Sequence, residues 1–241
     1  MKGIVVTDVG YQRKSNEDSY YLDESKKIIG VADGMGGHQA GEVASQSVKE
    51  YLESHNDIED KSFNKIFQEI NDYIILCGEE NEKYKGMGTT FTLVKIIDNK
   101  LFLGHIGDSR AYLIRQGKIM QMTTDHTMVN ELLKSEGITQ AQAVGHPYKH
   151  VLSRALGVEK NIDIEEKSFK IEPGDHILLS TDGLHGFLSD EEIIKIFEES
   201  KYNIEETGQK LLEEALKKGG KDNITFIIAQ DITEGGEQEK E

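Results

Sequence analysis

The chain has 241 residues, with 28 Lys+Arg against 44 Asp+Glu and a formal net charge of −16. That excess repels both a phosphate backbone and anionic lipid, so neither a general nucleic-acid binder nor a protein held on a membrane surface is expected. Hydrophobic residues make up 37% and prolines number two, which leaves enough apolar material for a folded core, and the single cysteine, Cys77, excludes an intrachain disulfide and a Cys-based zinc site.

The opening residues MKGIVVTDVG reach Asp8 too soon for the apolar core of a signal peptide, and no uncharged run approaches about 18 residues. A soluble, cytoplasmic protein is expected. The first β-type run is KGIVVTDVG (2–10), followed by IIGVAD (28–33). Two amphipathic helices come next. Glu42–Ser54 places Ala44, Val48, Tyr51 and Leu52 at helical spacing, and Phe63–Cys77 does the same with Phe63, Ile66, Phe67, Ile70, Tyr73 and Ile74. Cys77, at the end of the second, reads as a core thiol.

Three β-type stretches then lie close together: 89–97, 101–108 and 111–121, separated by Asp98-Asn99 and Gly107-Asp108-Ser109. Their spacing predicts an antiparallel meander, since parallel crossovers need about a dozen residues or more. HILLSTD (176–182) is the next strand, and Ser189-Asp190-Glu191-Glu192 is a capping-box pattern opening a helix through Phe197. Ile204–Lys218 aligns Leu211, Leu212, Ala215 and Leu216 and stops at Gly219-Gly220. ITFIIAQ (224–230) is the last strand, and the tail EGGEQEKE (234–241) is expected to be disordered. Strands in runs followed by pairs of helices predict an α+β fold, with two antiparallel sheets packed together, helices outside, and one domain over 1–233.

The placement of aspartates carries the chemistry. Asp33-Gly34 follows the apolar run 28–32, Asp182-Gly183 follows 176–181, and Asp222-Asn223 stands immediately before Ile224–Ala229. Strand ends hold side chains rigidly, as a metal site demands. Glycine after Asp permits a sharp turn and close approach of its carbonyl to a cation. Crowded carboxylates need a positive charge between them, and oxygen-only ligands favour Mg²⁺ or Mn²⁺. Asp-Gly is also ordinary hairpin punctuation, and composition and spacing alone leave both readings open.

Motifs around these acids narrow the choice. Arg13-Lys14-Ser15-Asn16-Glu17-Asp18, Ala32-Asp33-Gly34-Met35-Gly36-Gly37-His38, Gly88-Thr89-Thr90, Gly107-Asp108-Ser109-Arg110, Thr124-Asp125-His126-Thr127, Ser180-Thr181-Asp182-Gly183-Leu184 and Asp222-Asn223-Ile224-Thr225 occur in that order. Together they resemble the metal-dependent Ser/Thr protein phosphatases of the PP2C type, in their compact bacterial form, over about residues 7–230. The resemblance implies a four-layer α-β-β-α sandwich with helix pairs on both outer faces.

It also implies roles. Asp33 would bridge two Mn²⁺ or Mg²⁺ ions, Gly34 would offer its carbonyl to one, and Asp182 and Asp222 would complete the other. Glu17 and Asp18 would orient metal-held water, and Asp125 would join Asp182 at a third, looser ion. Arg13 would bind the substrate phosphate, which suits a planar guanidinium fork. The expected reaction is hydrolysis of phosphoserine and phosphothreonine on proteins by a water between two ions, without a phosphoenzyme. Met35 stands where animal members carry a histidine, and His38 either protonates the leaving group or is a loop histidine bonded to backbone. Asp108 and Arg110 are expected to be structural, paired with each other or with backbone. Residues about 137–157 resemble the flap beside the active site; its Lys149, His150 and Arg154 either attract acidic phosphopeptides or belong to a plain connector. The implied partners are phosphoproteins, among them a Ser/Thr kinase and its substrates, met by a monomer. Two other classes remain at this stage: a non-catalytic phosphoprotein-binding module on the same fold, and a hydrolase of small phosphoesters.

Overall fold

The computed structural model describes residues 1–36, 40–135, 137–143 and 145–230, so the tail expected to be disordered lies outside the described residues. In chain order, strand β1 (Lys2–Asp8) is followed by β2 (Asp18–Asp23), β3 (Ile28–Met35) and helices α1 (Ala40–Ser54) and α2 (Phe63–Glu80). Ser62 caps α2, its hydroxyl accepting the Lys65 N–H. The chain continues through β4 (Gly88–Thr89), β5 (Phe91–Ile97), β6 (Lys100–Ile106), β7 (Arg110–Arg115) and β8 (Lys118–Gln121). Short helices α3 (Met128–Lys134) and α4 (Gln140–Ala143) precede β9 (Glu165–Lys170), β10 (His176–Ser180) and one-turn α5 (Asp182–His185). Helices α6 (Asp190–Glu199) and α7 (Ile204–Lys217) and strand β11 (Ile224–Gln230) complete it. The Ser189–Glu192 capping box at the start of α6 forms in both directions, as its sequence predicts.

Two antiparallel sheets result. One runs β1-β11-β10-β7-β8, the other β2-β3-β5-β6-β9, with β4 paired to β3. Both faces of each sheet are covered, which explains why the central strands read as apolar runs rather than alternating ones. In β11, Ile227 and Ala229 enter the core between the sheets, while Ile224, Phe226 and Ile228 pack towards α6 and α7. In β3, Ile29 and Val31 enter the inter-sheet core, while Ile28 and Ala32 face α1 and α2. The period of two in a strand sends alternate side chains to different cores, and the layers are helix, sheet, sheet, helix. Cys77 packs at the edge of the α1–α2 core and is half-buried rather than enclosed.

The expected meander is only partly correct. β5 and β6 form a hairpin, and so do β7 and β8, but β6 and β7 do not pair: the chain leaves one sheet and enters the other between them. Gly107 makes that crossing at φ +106, where a Cβ would lie 2.6 Å from the Thr90 side chain. Two strands escaped the sequence reading. β2 (DSYYLD) is short and bounded by acids, and β9 (EEKSFK) is a charged edge strand with one apolar side chain, Phe169.

Candidate active site

Antiparallel pairing gathers the predicted acids at one end of the sandwich. Asp18 and Asp33 are register partners across β2 and β3. Asp182 starts α5 just after β10, Asp222 lies just before β11, and β10 and β11 pair with Ser180 opposite Phe226. Arg110 is opposite Ser180 at the start of β7, which brings Asp108 to the same end. All five aspartates are half-buried, enclosed on most sides while keeping some contact with solvent.

Backbone clamps hold them. Asp33 N–H donates to Thr90 Oγ1 (2.9 Å), and its carbonyl accepts the Thr90 N–H and the Thr89 hydroxyl, each at 2.9 Å. The Thr181 hydroxyl donates to Asp18 Oδ2 (2.9 Å). Asn223 ties down the loop that carries Arg13. Its Oδ1 accepts the Glu17 N–H (2.8 Å), and its Nδ2 donates to the carbonyls of Val9 and Ser15, each at 2.9 Å.

The two Asp-Gly glycines differ from expectation. Neither stands in a turn: Gly34 lies within β3 and Gly183 within α5, and neither has a positive φ. Both are needed for close approach. A Cβ on Gly34 would lie 2.0 Å from the Gly41 carbonyl oxygen, and one on Gly183 would lie 1.8 Å from that of Asn223. Chain segments pass too near for any side chain there.

The electrostatics are those of crowded acids. Burial holds Asp33 well above the usual carboxylate range, and Asp18, Asp182, Asp108 and Asp222 add repulsion. Asp18 is pushed up to about 7 by burial and by Asp182 and Asp222, against hydroxyl hydrogen bonds from Thr225 and Thr181. Asp182 rises to about 6 through burial and Asp222. Glu17 is raised by burial too, with Arg13 pulling it back. Asp18 Oδ1 is buried and has no hydrogen-bond partner. A buried, unpartnered carboxylate oxygen among repelling acids costs free energy unless a cation lies there. The donor set, carboxylates with a neighbouring backbone carbonyl, fits hard divalent ions of the Mg²⁺/Mn²⁺ class.

Arg13 and Asp125, placed by the resemblance on phosphate and on a third ion, both have protein partners. Arg13 Nη2 lies 2.7 Å from Asp222 Oδ2. Asp125 accepts two bonds from Arg110 Nε (2.9 and 3.1 Å), one from Nη2 (2.6 Å) and one from Gln121 (2.8 Å). Arg110 therefore pairs with Asp125 and with the Tyr112 hydroxyl (3.0 Å), not with Asp108 as expected. Asp108, read as structural, belongs with the acid cluster. Burial followed by Asp182 and Asp125 pushes it up to about 7. Its signal resembled that of Asp33: an acid beside glycine at the end of an apolar strand. His38 lies outside the described residues.

A cavity of about 250 Å³ adjoins the acids, lined by Asp108, Asp125 and Asp182 together with Lys149 and His150. Arg154, the third flap cation, bonds instead to Asp163 (2.7 Å) and approaches Glu131 (3.5 Å).

Comparison with known proteins gives a consistent result. The family model described as protein phosphatase 2C matches residues 7–132. A putative protein phosphatase 2C-type from Streptococcus pyogenes is 34% identical over 97% of this chain and 99% of its own length. The serine/threonine phosphatase stp of Listeria monocytogenes is 35% identical over 95% and 96%. Among solved structures, the Mycobacterium tuberculosis serine/threonine phosphatase PstP/Ppp superposes with a TM-score of 0.86 at 36% identity, covering 95% of this chain and 97% of that one. The catalytic domain of PstP in complex with two manganese ions gives 0.83 at 35% identity, with the same coverage.

Proposed function

Since the chain belongs to the protein phosphatase 2C family and is a serine/threonine protein phosphatase, we propose that it removes phosphate from phosphoserine and phosphothreonine with two divalent cations held in its acidic centre. The observation that carries this reading is the gathering of Asp18, Asp33, Asp182 and Asp222 at one sandwich end, with Asp18 Oδ1 left without a partner.

Asp33 would bridge the two ions, Gly34 would present its carbonyl to one, and Asp182 and Asp222 would hold the other. Mn²⁺ or Mg²⁺ so bound would supply a water acidified between them and positive charge for the phosphoryl oxygens. Asp18 and Glu17 would accept hydrogen bonds from ion-held waters and fix their orientation. Arg13 would turn from Asp222 to the phosphate, where its fork can donate to two oxygens at once. Phosphorus gains an oxygen from water as its bond to the serine or threonine oxygen breaks in line, with no phosphoenzyme. His38 would return the proton to the departing alcohol. A third, looser ion would lie by Asp182 and Asp125, with Asp108 as an added ligand, because Arg110 directs its hydrogen bonds to Asp125 and Tyr112 and not to Asp108.

The substrates are phosphorylated proteins, including a Ser/Thr kinase and its targets, met by a cytoplasmic monomer whose residues about 137–157 form a flap at the cavity. No described helix is long and apolar enough to cross a membrane.

The test is release of phosphate from a phosphothreonine peptide with Mn²⁺, with EDTA, and by Asp182→Ala, beside a phosphodiester. Release that needs Mn²⁺, is lost in the variant and is faster for the peptide supports the reading. A folded protein that releases nothing with Mn²⁺ would be a binding module, and preference for the diester would make it a small-ester hydrolase.

A further inference from the structure

A second group of ligand-type side chains lies apart from the aspartates. His105 on β6 and Glu165 on β9 are register partners, so their side chains share one face of the sheet. His126 folds over them from the segment after β8, with its ring 4.9 Å from that of His105. One ligand atom from each of the three lies within 4.8 Å of the others. His105 and His126 are 0% and 2% exposed.

The hydrogen bonds single out the free nitrogens. His105 Nδ1 is engaged with Thr92 Oγ1 (2.8 Å), while its Nε2 is buried without any partner. His126 Nδ1 accepts the Gly107 N–H (3.2 Å), so the metal-free ring carries its proton on Nε2, and ligation there requires that proton to shift to Nδ1 at the expense of the Gly107 bond. The Thr92 hydroxyl donates to the Ser109 carbonyl, so His105 Nδ1–H donates to Thr92 and Nε2 keeps its lone pair, which is how ligating histidines are oriented. An unpartnered imidazole nitrogen in a closed interior lacks the bond that buried polar atoms normally have.

We propose that His105, His126 and Glu165 form a binding site for a transition-metal dication of the zinc class, separate from the ions of the aspartate cluster. Two imidazoles and a carboxylate are a zinc-type donor set, and Mg²⁺ does not compete for imidazole. Burial holds the His105 ring uncharged, down to about 4, which is the form that ligates. The competitor is Lys167, whose Nζ lies 2.8 Å from Glu165 Oε1 and also bonds the Met122 carbonyl and Thr124 Oγ1. Its side chain is 37% exposed, so its ammonium can move to solvent as a dication enters. The site would brace the active-site floor: His126 follows Asp125, and its N–H donates to the Gly107 carbonyl beside Asp108 (2.7 Å).

The test uses Co²⁺ as probe on the whole protein with the aspartate cluster saturated by Mg²⁺. One Co²⁺ per chain is expected, with the intense visible absorption of a nitrogen-ligated, low-coordinate ion, displaced by Zn²⁺. His105→Gln should weaken binding about 100-fold or more. Lys167→Gln should tighten it several-fold by removing the competing charge. Should His105→Gln not fold, Glu165→Gln keeps the shape of the strand pair and is expected to weaken binding likewise. Absence of that absorption in the wild-type protein, or its persistence unchanged in folded His105→Gln or Glu165→Gln, would overturn the site.

Discussion

Arg13 Nη2 and Asp222 Oδ2 lie 2.7 Å apart, so the arginine assigned to phosphate and an aspartate assigned to metal bind each other. The hydrogen bond to Asp222 raises the Arg13 pKa further, and Glu17 and Asp33 add to the attraction. The pair holds the guanidinium against the acidic centre. A cation held at Asp222, as proposed, would compete for the same carboxylate oxygen and free the guanidinium. Asn223 fixes the distance by holding both ends of the Arg13 loop.

Arg13→Ala should therefore lower kcat/KM for a phosphothreonine peptide, mainly through KM. A charge-assisted hydrogen bond is worth about 1.5–3 kcal/mol, roughly a tenfold to hundredfold effect. Arg13→Lys should recover only part of the loss, because an ammonium lacks the planar fork. Steady-state kinetics decide, and an unchanged KM in both variants would remove Arg13 from phosphate binding.

Asp33→Asn should separate stability from activity. The substitution removes a charge that burial and four neighbouring aspartates disfavour while keeping the shape of the side chain. Phosphatase activity should vanish, yet the chelated variant should melt above the chelated wild type, by about 2–4 °C for each kcal/mol recovered in a domain of this size. A lower melting temperature would mean that Asp33 stabilises the metal-free fold.

Stabilisation by Mg²⁺ should grow with pH. Asp18 at about 7 and Asp182 at about 6 lie above the unfolded value of about 3.9, so without cations the folded state binds more protons than the unfolded one. Their contribution is complete below about pH 4 and lost as pH rises through 6–7. Buried His105 and His126 contribute with opposite sign in the lower part of this range, so the informative quantity is the shift on adding Mg²⁺, not the chelated melt alone. At pH 5 a cation must displace protons from Asp182 and from Asp18, which would hold its waters; at pH 8 it need not. Thermal melts with Mg²⁺ and with EDTA should differ more at pH 8 than at pH 5, and equal shifts would contradict the proposed ligands.

Arg110 and Asp125 should couple strongly. Both side chains are largely covered, at 24% and 14% exposure, and the pair is held by several hydrogen bonds. Arg110→Ala leaves Asp125 facing Asp108 without a counter-charge and should cost about 2 kcal/mol or more, short of the 3–5 kcal/mol typical of fully buried pairs. A double-mutant cycle with Asp125→Ala should return a coupling of about 1–3 kcal/mol by denaturant unfolding. Additive single effects would show that the two residues act independently.

Much of this molecule is legible from local order along the chain. Apolar runs and helical spacing are local properties, so β1, β3, β5, β10, β11 and helices α1, α2, α6 and α7 follow from the sequence to within a few residues. Acids abutting apolar strands likewise mark Asp33, Asp182 and Asp222 as a group, and the order of motifs identifies the family. Which sheet a strand joins is not a local property. β6 and β7 are three residues apart, yet they lie in different sheets, because the inter-sheet core is closed by side chains from β3, β7, β10 and β11 together. The partners of charged groups depend on the same closure. Arg110 takes Asp125 across the β7–β8 hairpin rather than nearby Asp108, and Asp108 is left among the acids, where burial and its neighbours push it up to about 7. Gly34 and Gly183 make the point at atomic scale: their need for hydrogen in place of a side chain comes from Gly41 and Asn223, chain segments that only folding brings within 2.0 and 1.8 Å of where a Cβ would stand. Periodicity and residue type are encoded one neighbour at a time, whereas ion pairs and close approaches are set by distances between remote segments, which exist only once the four layers have packed.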